Sequence, residues 1–148
     1  MIIRDMKQED KAELFAMWED FYGGTATLHG INWDNTTRTF EQCVKGNPYL
    51  RGLILEEEGE GMMGFCLLSF TWSNESGGMV VLVEELYTRP QCRGRGYGRQ
   101  LMQWLEKEYP EVTRFRLEAT FSNEDAIRLY RKLGYEELHY YQMVKDRN

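Results

Sequence analysis

A run of glycine and arginine between an apolar strand and an amphipathic helix holds the residues most suited to chemistry. Residues 91–99 read Gln-Cys-Arg-Gly-Arg-Gly-Tyr-Gly-Arg. Glycines allow the backbone to approach a ligand closely, because no Cβ stands in the way. The unpaired N–H groups at the start of the following helix, together with the helix dipole, favour an anion. The turn therefore predicts a site for a phosphate or diphosphate group.

The spacing of these glycines separates the turn from the common nucleotide-binding loops. A dinucleotide loop, Gly-x-Gly-x-x-Gly, would place its third glycine at position 99, which is Arg99. The sequence has no Gly-x-x-x-x-Gly-Lys-Ser/Thr loop either. Arginine–glycine tracts that bind RNA usually lie in longer repetitive segments. We therefore expect a phosphate-bearing small molecule and no nucleic acid partner.

Two sequence blocks resemble the GNAT superfamily of acyl-CoA N-acyltransferases. The family's loop pattern, Arg/Gln-x-x-Gly-x-Gly/Ala, is met by Arg93, Gly96 and Gly98. Residues 123–135 are similar to its second pattern, Asn-x-x-Ala-x-x-x-Tyr-x-x-x-Gly-Phe/Tyr. The resemblance is strongest over residues 79–145, and residues 83–88 resemble the corresponding strand of the spermidine/spermine-type acetyltransferases.

This resemblance implies an N-acetyltransferase that moves an acetyl group from acetyl-CoA directly to a primary amine, without a metal. It implies that the central strand bonds the pantetheine arm and the carbonyl, and that the turn holds the diphosphate through its N–H groups. The residues expected to bind acetyl-CoA are Leu86, Tyr87, Thr88, Arg93, Gly94, Arg95, Gly96, Tyr97, Gly98, Arg99, Asn123 and Tyr130. A non-catalytic acyl-CoA sensor or interaction module on the same fold is the alternative.

Tyr130 occupies the position of the family's general acid. A free tyrosine has a pKa near ~10, so it keeps its proton at neutral pH and can pass it to a thiolate. The alternative is a core aromatic, because Ala126, Tyr130 and Leu133 share the inner face of one amphipathic helix.

Glu84 and Glu85 are adjacent carboxylates inside an apolar strand. Successive side chains of a strand point to opposite faces, so we expect one of them to face the covered side of the sheet. Desolvation there raises a carboxyl pKa and suits a base acting on an ammonium. The resemblance favours Glu84, nine residues before Arg93; a solvated edge or a salt bridge is the alternative for both.

The remaining reactive side chains suggest neither a metal site nor a disulfide framework. The three cysteines, Cys43, Cys66 and Cys92, form no Cys-x-x-Cys pair. We expect a reduced, cytoplasmic protein and direct transfer, with Cys66 left open as a nucleophile. The resemblance implies an amine acceptor. The net charge of −6, on a chain that is acidic outside residues 89–99, suits a cationic amine, and acidity that serves only solubility is the alternative. Polyamines, small amines, aminoglycosides and protein lysines stay open. Residues that could line an acceptor pocket are Phe21, Tyr22, His29, Trp33 and Trp72.

The elements that must position these residues suit a single domain, residues 1–148. Strands alternate with helices in the second half, which predicts an α/β fold with a mixed sheet and helices on both faces. No apolar run is long enough for a signal peptide or a membrane span. A homodimer is compatible with the resemblance. The expected elements are strand 2–4, helix 8–22, a helix from Asp34 to Gly46, strands 49–57, 62–72 and 79–88, helix 97–108, strand 112–121, a helix capped by Ser122, and one or two strands over 135–145.

Overall fold

One mixed sheet forms the centre of the computed structural model, which describes residues 1–147. Its strands lie in chain order: β1 (Ile2–Asp5), β2 (Leu50–Glu57), β3 (Gly61–Ser73), β4 (Gly78–Thr88) and β5 (Arg114–Leu117). All neighbours are antiparallel except β4 and β5, which are parallel. The helices are α1 (Lys11–Tyr22), α2 (Trp33–Lys45), α3 (Tyr97–Glu108) and α4 (Glu124–Lys132), with 3-10 turns at Gln8–Asp10 and Pro90–Cys92. The predicted α/β class is confirmed.

The sheet separates two apolar cores, one under each pair of helices. Trp18 of α1 and Phe40 of α2 pack with Phe65 of β3 on one face. Cys66, the next residue of β3, packs with Leu101 of α3 on the other face. This alternation follows from the two-residue period of a strand. The expectation of helices on both faces is confirmed, and no helix within residues 1–147 has the length and apolarity needed to cross a membrane.

The N-caps of α2 and α4 differ from the predicted ones by two residues and by one residue. The N-cap of α2 is Asn32, whose side chain accepts a hydrogen bond from the Asn35 N–H at 3.1 Å. Asp34, the predicted cap, lies in the first turn, where its negative charge interacts favourably with the positive end of the helix dipole. Helix α4 has Asn123 at its N-cap rather than Ser122, and no capping side-chain bond forms there.

The C-terminal segment carries the largest departure from the predicted elements. Residues 135–147 contain no strand, and β5 is limited to Arg114–Leu117 rather than 112–121. Tyr141, Met143 and Val144 are more than four-fifths exposed. An alternating pattern forms a strand only where a neighbouring strand supplies hydrogen bonds. Along the described chain, the outer edge of β5 has no such neighbour.

Candidate active site

The parallel strands β4 and β5 separate before β4 ends. Their pairing stops at Val83 and Leu117, although β4 continues to Thr88. Residues 86–88 therefore have no β5 neighbour on that side, and their backbone groups face a gap. This gap opens into a groove of about 790 Å³ that Leu86, Tyr87 and Thr88 line. The structure thus places all three predicted strand residues at the groove.

The glycine-rich turn forms the next wall of the groove. Gly94 and Gly96 have positive φ angles of 78° and 84°, which other residues rarely adopt. Helix α3 starts at Tyr97, and its first intrahelical bond runs from the Gln100 N–H to Gly96 O. The preceding N–H groups lack helical partners, as an anion site requires. The space beside Gly94 is open, because a Cβ there would meet no protein atom within 4 Å.

Gly98, the third glycine of the turn, has a different task from the other two. A Cβ there would lie 3.2 Å from Leu129 Cδ2 of α4. Its missing side chain therefore allows α3 and α4 to pack closely. Gly98 also lines the groove, so the α3–α4 contact and the groove wall meet at one residue.

The four arginines around the turn do not point to the same place. Arg93 and Arg99 line the groove. Arg95 instead pairs with Glu60 in the turn between β2 and β3, and it does not line the groove. Arg89 donates to Met62 O at 2.8 Å and pairs with Glu13 of α1 at 2.6 Å. Arg95, which the sequence analysis expected to bind acetyl-CoA, therefore lies outside the lining of the groove.

Helix α4 supplies the opposite wall with Asn123 and Tyr130, and both residues line the groove. Burial raises the pKa of Tyr130 to about 12, with smaller contributions from Cys66 and Tyr135. The phenol therefore holds its proton at neutral pH. The Tyr130 side chain also packs against the core under α3. It therefore lies both in the core, as its helical spacing predicts, and at the groove, as the family resemblance predicts.

A β-bulge puts the two glutamates on one face of the sheet. Leu67 pairs with Glu85 whereas Leu68 pairs with Val83, so Glu84 is the extra residue on β4. Glu85 accepts from the Trp18 indole N–H at 3.2 Å, and Glu84 accepts from Ser69 Oγ at 2.7 Å. Both contacts lie on the face of α1 and α2. The expectation that the pleat sends these glutamates to opposite faces is therefore wrong, because a bulge interrupts the alternation.

Glu85 is the more unusual of the two carboxylates. Its Oε2 is buried and has no hydrogen-bond partner among residues 1–147. Burial raises the pKa of Glu85 to about 7; the Trp18 and Tyr22 side chains oppose the rise, and the Glu84 charge adds to it. Glu84 is exposed. Glu84, Glu85 and Tyr130 line one small cavity of about 40 Å³ beside the groove.

Comparisons with known proteins agree with this geometry. The profile of the acetyltransferase (GNAT) family matches residues 11–135. The chain belongs to this family. A thialysine N-epsilon-acetyltransferase of Mus musculus is 31% identical, over 92% of this chain and 84% of the relative. The uncharacterized N-acetyltransferase YhfO of Bacillus subtilis (strain 168) is 30% identical, over 93% of this chain and 91% of the relative.

Solved structures share the fold of the family. The aminoglycoside acetyltransferase AAC(6')-Iy, in complex with a bisubstrate analogue of CoA and an acetylneamine, superposes with a TM-score of 0.78. It is 19% identical and covers 99% of this chain and 98% of its own. A probable acetyltransferase superposes with a TM-score of 0.76 at 22% identity, covering 99% of this chain and 100% of its own. These structures show the fold. The family profile and the acetyltransferase relatives show the enzyme class, an acetyl-CoA-dependent N-acetyltransferase.

Cys66 and Cys92 of this acetyltransferase are not placed as nucleophiles. Cys66 is fully buried, and burial raises the pKa of its thiol far above the usual range. Cys92 is buried with its Sγ 3.2 Å from the Met63 sulfur. Within residues 1–147 no group of three or more histidine, cysteine or acidic side chains could hold a metal ion.

The acceptor side of the groove differs in part from the sequence expectation. Phe21 lines the groove, but Tyr22, His29, Trp33 and Trp72 do not. Trp33 stacks on Phe15 with the ring centres 5.5 Å apart, and Trp72 is 67% exposed. Sequence reasoning missed Asp20, which lines the groove and accepts a 2.6 Å hydrogen bond from the Tyr87 hydroxyl. An acidic residue on the exposed face of a helix carries no signal that could have identified it.

Proposed function

We propose that this enzyme moves an acetyl group from acetyl-CoA directly to the primary amine of a small cationic molecule. The observation that carries the proposal is the gap between β4 and β5. At one end it meets the N–H groups and arginines of the glycine-rich turn, and at the other it meets Glu84, Glu85 and Tyr130. An anionic cofactor fits the first end, and a positively charged acceptor fits the second.

Glu85 is the proposed proton acceptor. Its unpaired, buried Oε2 can take a proton from the incoming ammonium, and a pKa near neutrality suits a base at physiological pH. The free amine then forms the N–C bond as the C–S bond of the thioester breaks. Tyr130 is the proposed acid that gives its proton to the departing thiolate. The acylated nitrogen then loses its extra proton, which restores the Tyr130 hydroxyl, and Glu85 releases the first proton to solvent. Glu84, which the family resemblance favoured, is proposed to attract the ammonium from solvent and to raise the pKa of Glu85.

The acceptor is proposed to be a small amine of the kind named in the thialysine N-epsilon-acetyltransferases. The cavity beside the groove has space for little more than one small group, about 40 Å³. Glu118 lines it together with Glu84 and Glu85, so an ammonium is the favoured occupant. This charge supports an aliphatic amine with a second polar or cationic group over a neutral acceptor.

A homodimer is proposed on the basis of the exposed C-terminal segment. Tyr141, Met143 and Val144 expose apolar surface, and the edge strand β5 offers unpaired backbone groups. Such edges pair readily with another chain. Light scattering should give twice the mass of one chain, and deletion of residues 141–148 should give a monomer. A full-length monomer would contradict the proposal.

A cytoplasmic location is proposed as well, supported by three unpaired cysteines.

A thermal shift measurement tests the cofactor assignment without knowledge of the acceptor. A ligand that binds only the native state raises its melting temperature by mass action. Acetyl-CoA should raise the melting temperature of the wild type, and Gly96→Val should abolish the rise, because a branched residue resists the positive φ of the turn. Gly30→Ala is the control, since its new Cβ would meet nothing within 4 Å. No rise in the folded wild type at millimolar acetyl-CoA would contradict the assignment.

A further inference from the structure

Trp18, in the second half of α1, reaches across the core to the central strand. Its side chain is 1% exposed and packs against the rings of Phe15 and Phe65, whose centres lie 5.7 and 5.2 Å away. A buried indole N–H needs a hydrogen-bond partner. That partner is Glu85 Oε1, at 3.2 Å. Because rings on two sides restrict the indole, its N–H is held at a fixed place beside the carboxylate.

The hydrogen bond makes the two oxygens of Glu85 different. Oε1 accepts from the indole, whereas Oε2 is buried and has no partner among residues 1–147. Glu85 lines the small cavity beside the groove, but Trp18 lines neither the cavity nor the groove. Any effect of Trp18 on an acceptor in that cavity therefore acts through the Glu85 carboxylate.

The titratable side chains around Glu85 come from all the elements that surround it, and none of them is a cation. They are Tyr22 of α1, Cys43 of α2, Cys66 of β3, Glu84 of β4, Glu118 just after β5 and Tyr130 of α4. Burial raises the pKa of Glu85, and the Trp18 hydrogen bond lowers it more than the Tyr22 side chain does. Ionised Glu85 is therefore stabilised by neutral donors, with Trp18 foremost.

We propose that Trp18 is a positioning residue whose indole N–H orients the Glu85 carboxylate, so that Oε2 receives the proton of the acceptor ammonium. An N–H bond of the ammonium breaks and an Oε2–H bond forms, while Oε1 keeps its hydrogen bond to the indole. The same bond favours the ionised carboxylate, which is the form that can act as a base. The inference rests on the proposed function in taking Glu85 as the proton acceptor.

Nitrogen–proton NMR of the four tryptophan indoles tests the contact in the full chain, without acetyl-CoA or an acceptor. The Trp18 signal is identified by its loss in Trp18→Phe, or by elimination with the other three tryptophans replaced singly. It should shift with a midpoint near pH 7 as Glu85 ionises, and Glu85→Gln should abolish this step. A Trp18 signal that stays constant through neutral pH, or that titrates equally in Glu85→Gln, would overturn the inference.

The direction of the pKa change in Trp18→Phe separates positioning from packing. Carbon NMR of the glutamate carboxyls follows Glu85 directly, and its signal is the one that Glu85→Gln removes. Loss of a hydrogen bond to a charged group should raise the midpoint by about one pH unit. A role in packing alone predicts the opposite sign, because water that reaches a loosened site moves the pKa down toward 4.5. Phe40→Leu is the control, since it alters the same core but keeps the indole N–H.

Thiol release with a short aliphatic diamine connects this shift to catalysis. In Trp18→Phe the limb of log(kcat/KM) should move to higher pH together with the carboxyl midpoint, while the KM for acetyl-CoA changes little. In Phe40→Leu both should stay near pH 7. An unchanged or lower midpoint in folded Trp18→Phe would overturn the inference. Full activity with an unchanged limb in Glu85→Gln would overturn the proposed role of Glu85 itself, and this result is distinct from either outcome in Trp18→Phe.

Discussion

At the scale of single residues, the proposed chemistry depends on which carboxylate has lost its contact with water. Glu84 and Glu85 are neighbours of identical type, yet one is exposed and the other has a buried oxygen without a partner. Sequence could place both on the central strand. It could not rank them, because the burial of Glu85 depends on Trp18 and on a β-bulge that the residue types do not predict.

Glu85→Gln should lower kcat/KM by about 10²- to 10⁴-fold, the usual effect of losing a general base. In the wild type, log(kcat/KM) should rise with pH through a limb near 7, as the Glu85 carboxyl loses its proton. The variant should lack this limb. The measurement is a pH profile of thiol release at low amine concentration.

Glu84→Gln is the matched control for this prediction. It should keep activity within about tenfold, and its limb should move to lower pH, because the Glu84 charge raises the pKa of Glu85. Loss of activity in Glu84→Gln together with a normal profile in Glu85→Gln would reverse the two roles.

Tyr130→Phe should lower kcat by about 10²-fold or more while acetyl-CoA affinity changes little. The ring keeps its packing in the core under α3, and only the hydroxyl proton is lost. Rapid-quench or steady-state kinetics, together with a binding titration, separate the two effects. An unchanged kcat would leave Tyr130 with a packing role only.

At the scale of elements, the site depends on how β4 lies between its two neighbours. The strands and helices themselves were largely predictable, since α3 begins and ends at the predicted residues and β4 differs by one residue. The bulge at Glu84 and the early end of the β4–β5 pairing were not predictable. Both are set by register with neighbouring strands, and a single-strand pattern contains no information about its partner's register.

Gly64→Ala should disturb β4 at the groove. Its new Cβ would lie 2.1 Å from the Tyr87 carbonyl oxygen, so β3 and β4 must move apart. Overpacking of this kind typically costs about 1–3 kcal/mol. Urea unfolding should show this loss, and acetyl-CoA affinity should fall with it, because Tyr87 and Thr88 form the groove wall. Gly30→Ala should change neither the free energy of unfolding nor the acetyl-CoA affinity. Equal behaviour of the two variants would contradict the close approach of β3 and β4 at Gly64.

At the scale of the whole molecule, the buried carboxylate makes stability depend on pH. The folded pKa of Glu85, about 7, lies above its ordinary value of 4.5. The folded state therefore favours the neutral form, and its stabilising contribution is complete below pH 4.5 and is lost as pH rises through 7. At 1.36 kcal/mol per pKa unit, the loss has a ceiling of about 3 kcal/mol.

Glu85→Gln should consequently unfold at higher urea than the ligand-free wild type at pH 8.5, with a gain of up to about 3 kcal/mol. The gain should shrink as pH falls toward 5. Glu84→Gln, at an exposed position, should show a smaller effect of the same sign, because it removes the charge that disfavours ionised Glu85. A variant less stable than wild type at pH 8.5 would contradict the burial of this carboxylate.

Family membership and the α/β fold followed from two short motifs, because the glycine-rich turn and the helix at residues 123–135 are local patterns. The structure of the C-terminal segment did not follow from its sequence pattern. Residues 135–145 have a strand-like pattern and form no strand, since strand formation requires a pairing edge as well as a sequence.

The central claim is that this chain moves an acetyl group from acetyl-CoA to an amine. The most direct measurement is thiol release from acetyl-CoA across a panel of aliphatic amines, with mass spectrometry of the amine. The account predicts thiol release that requires both enzyme and amine, and an amine that gains one acetyl group for each thiol released. If no amine accelerates thiol release by the folded, acetyl-CoA-binding protein, or if thiol is released without an acetylated amine, the account is contradicted.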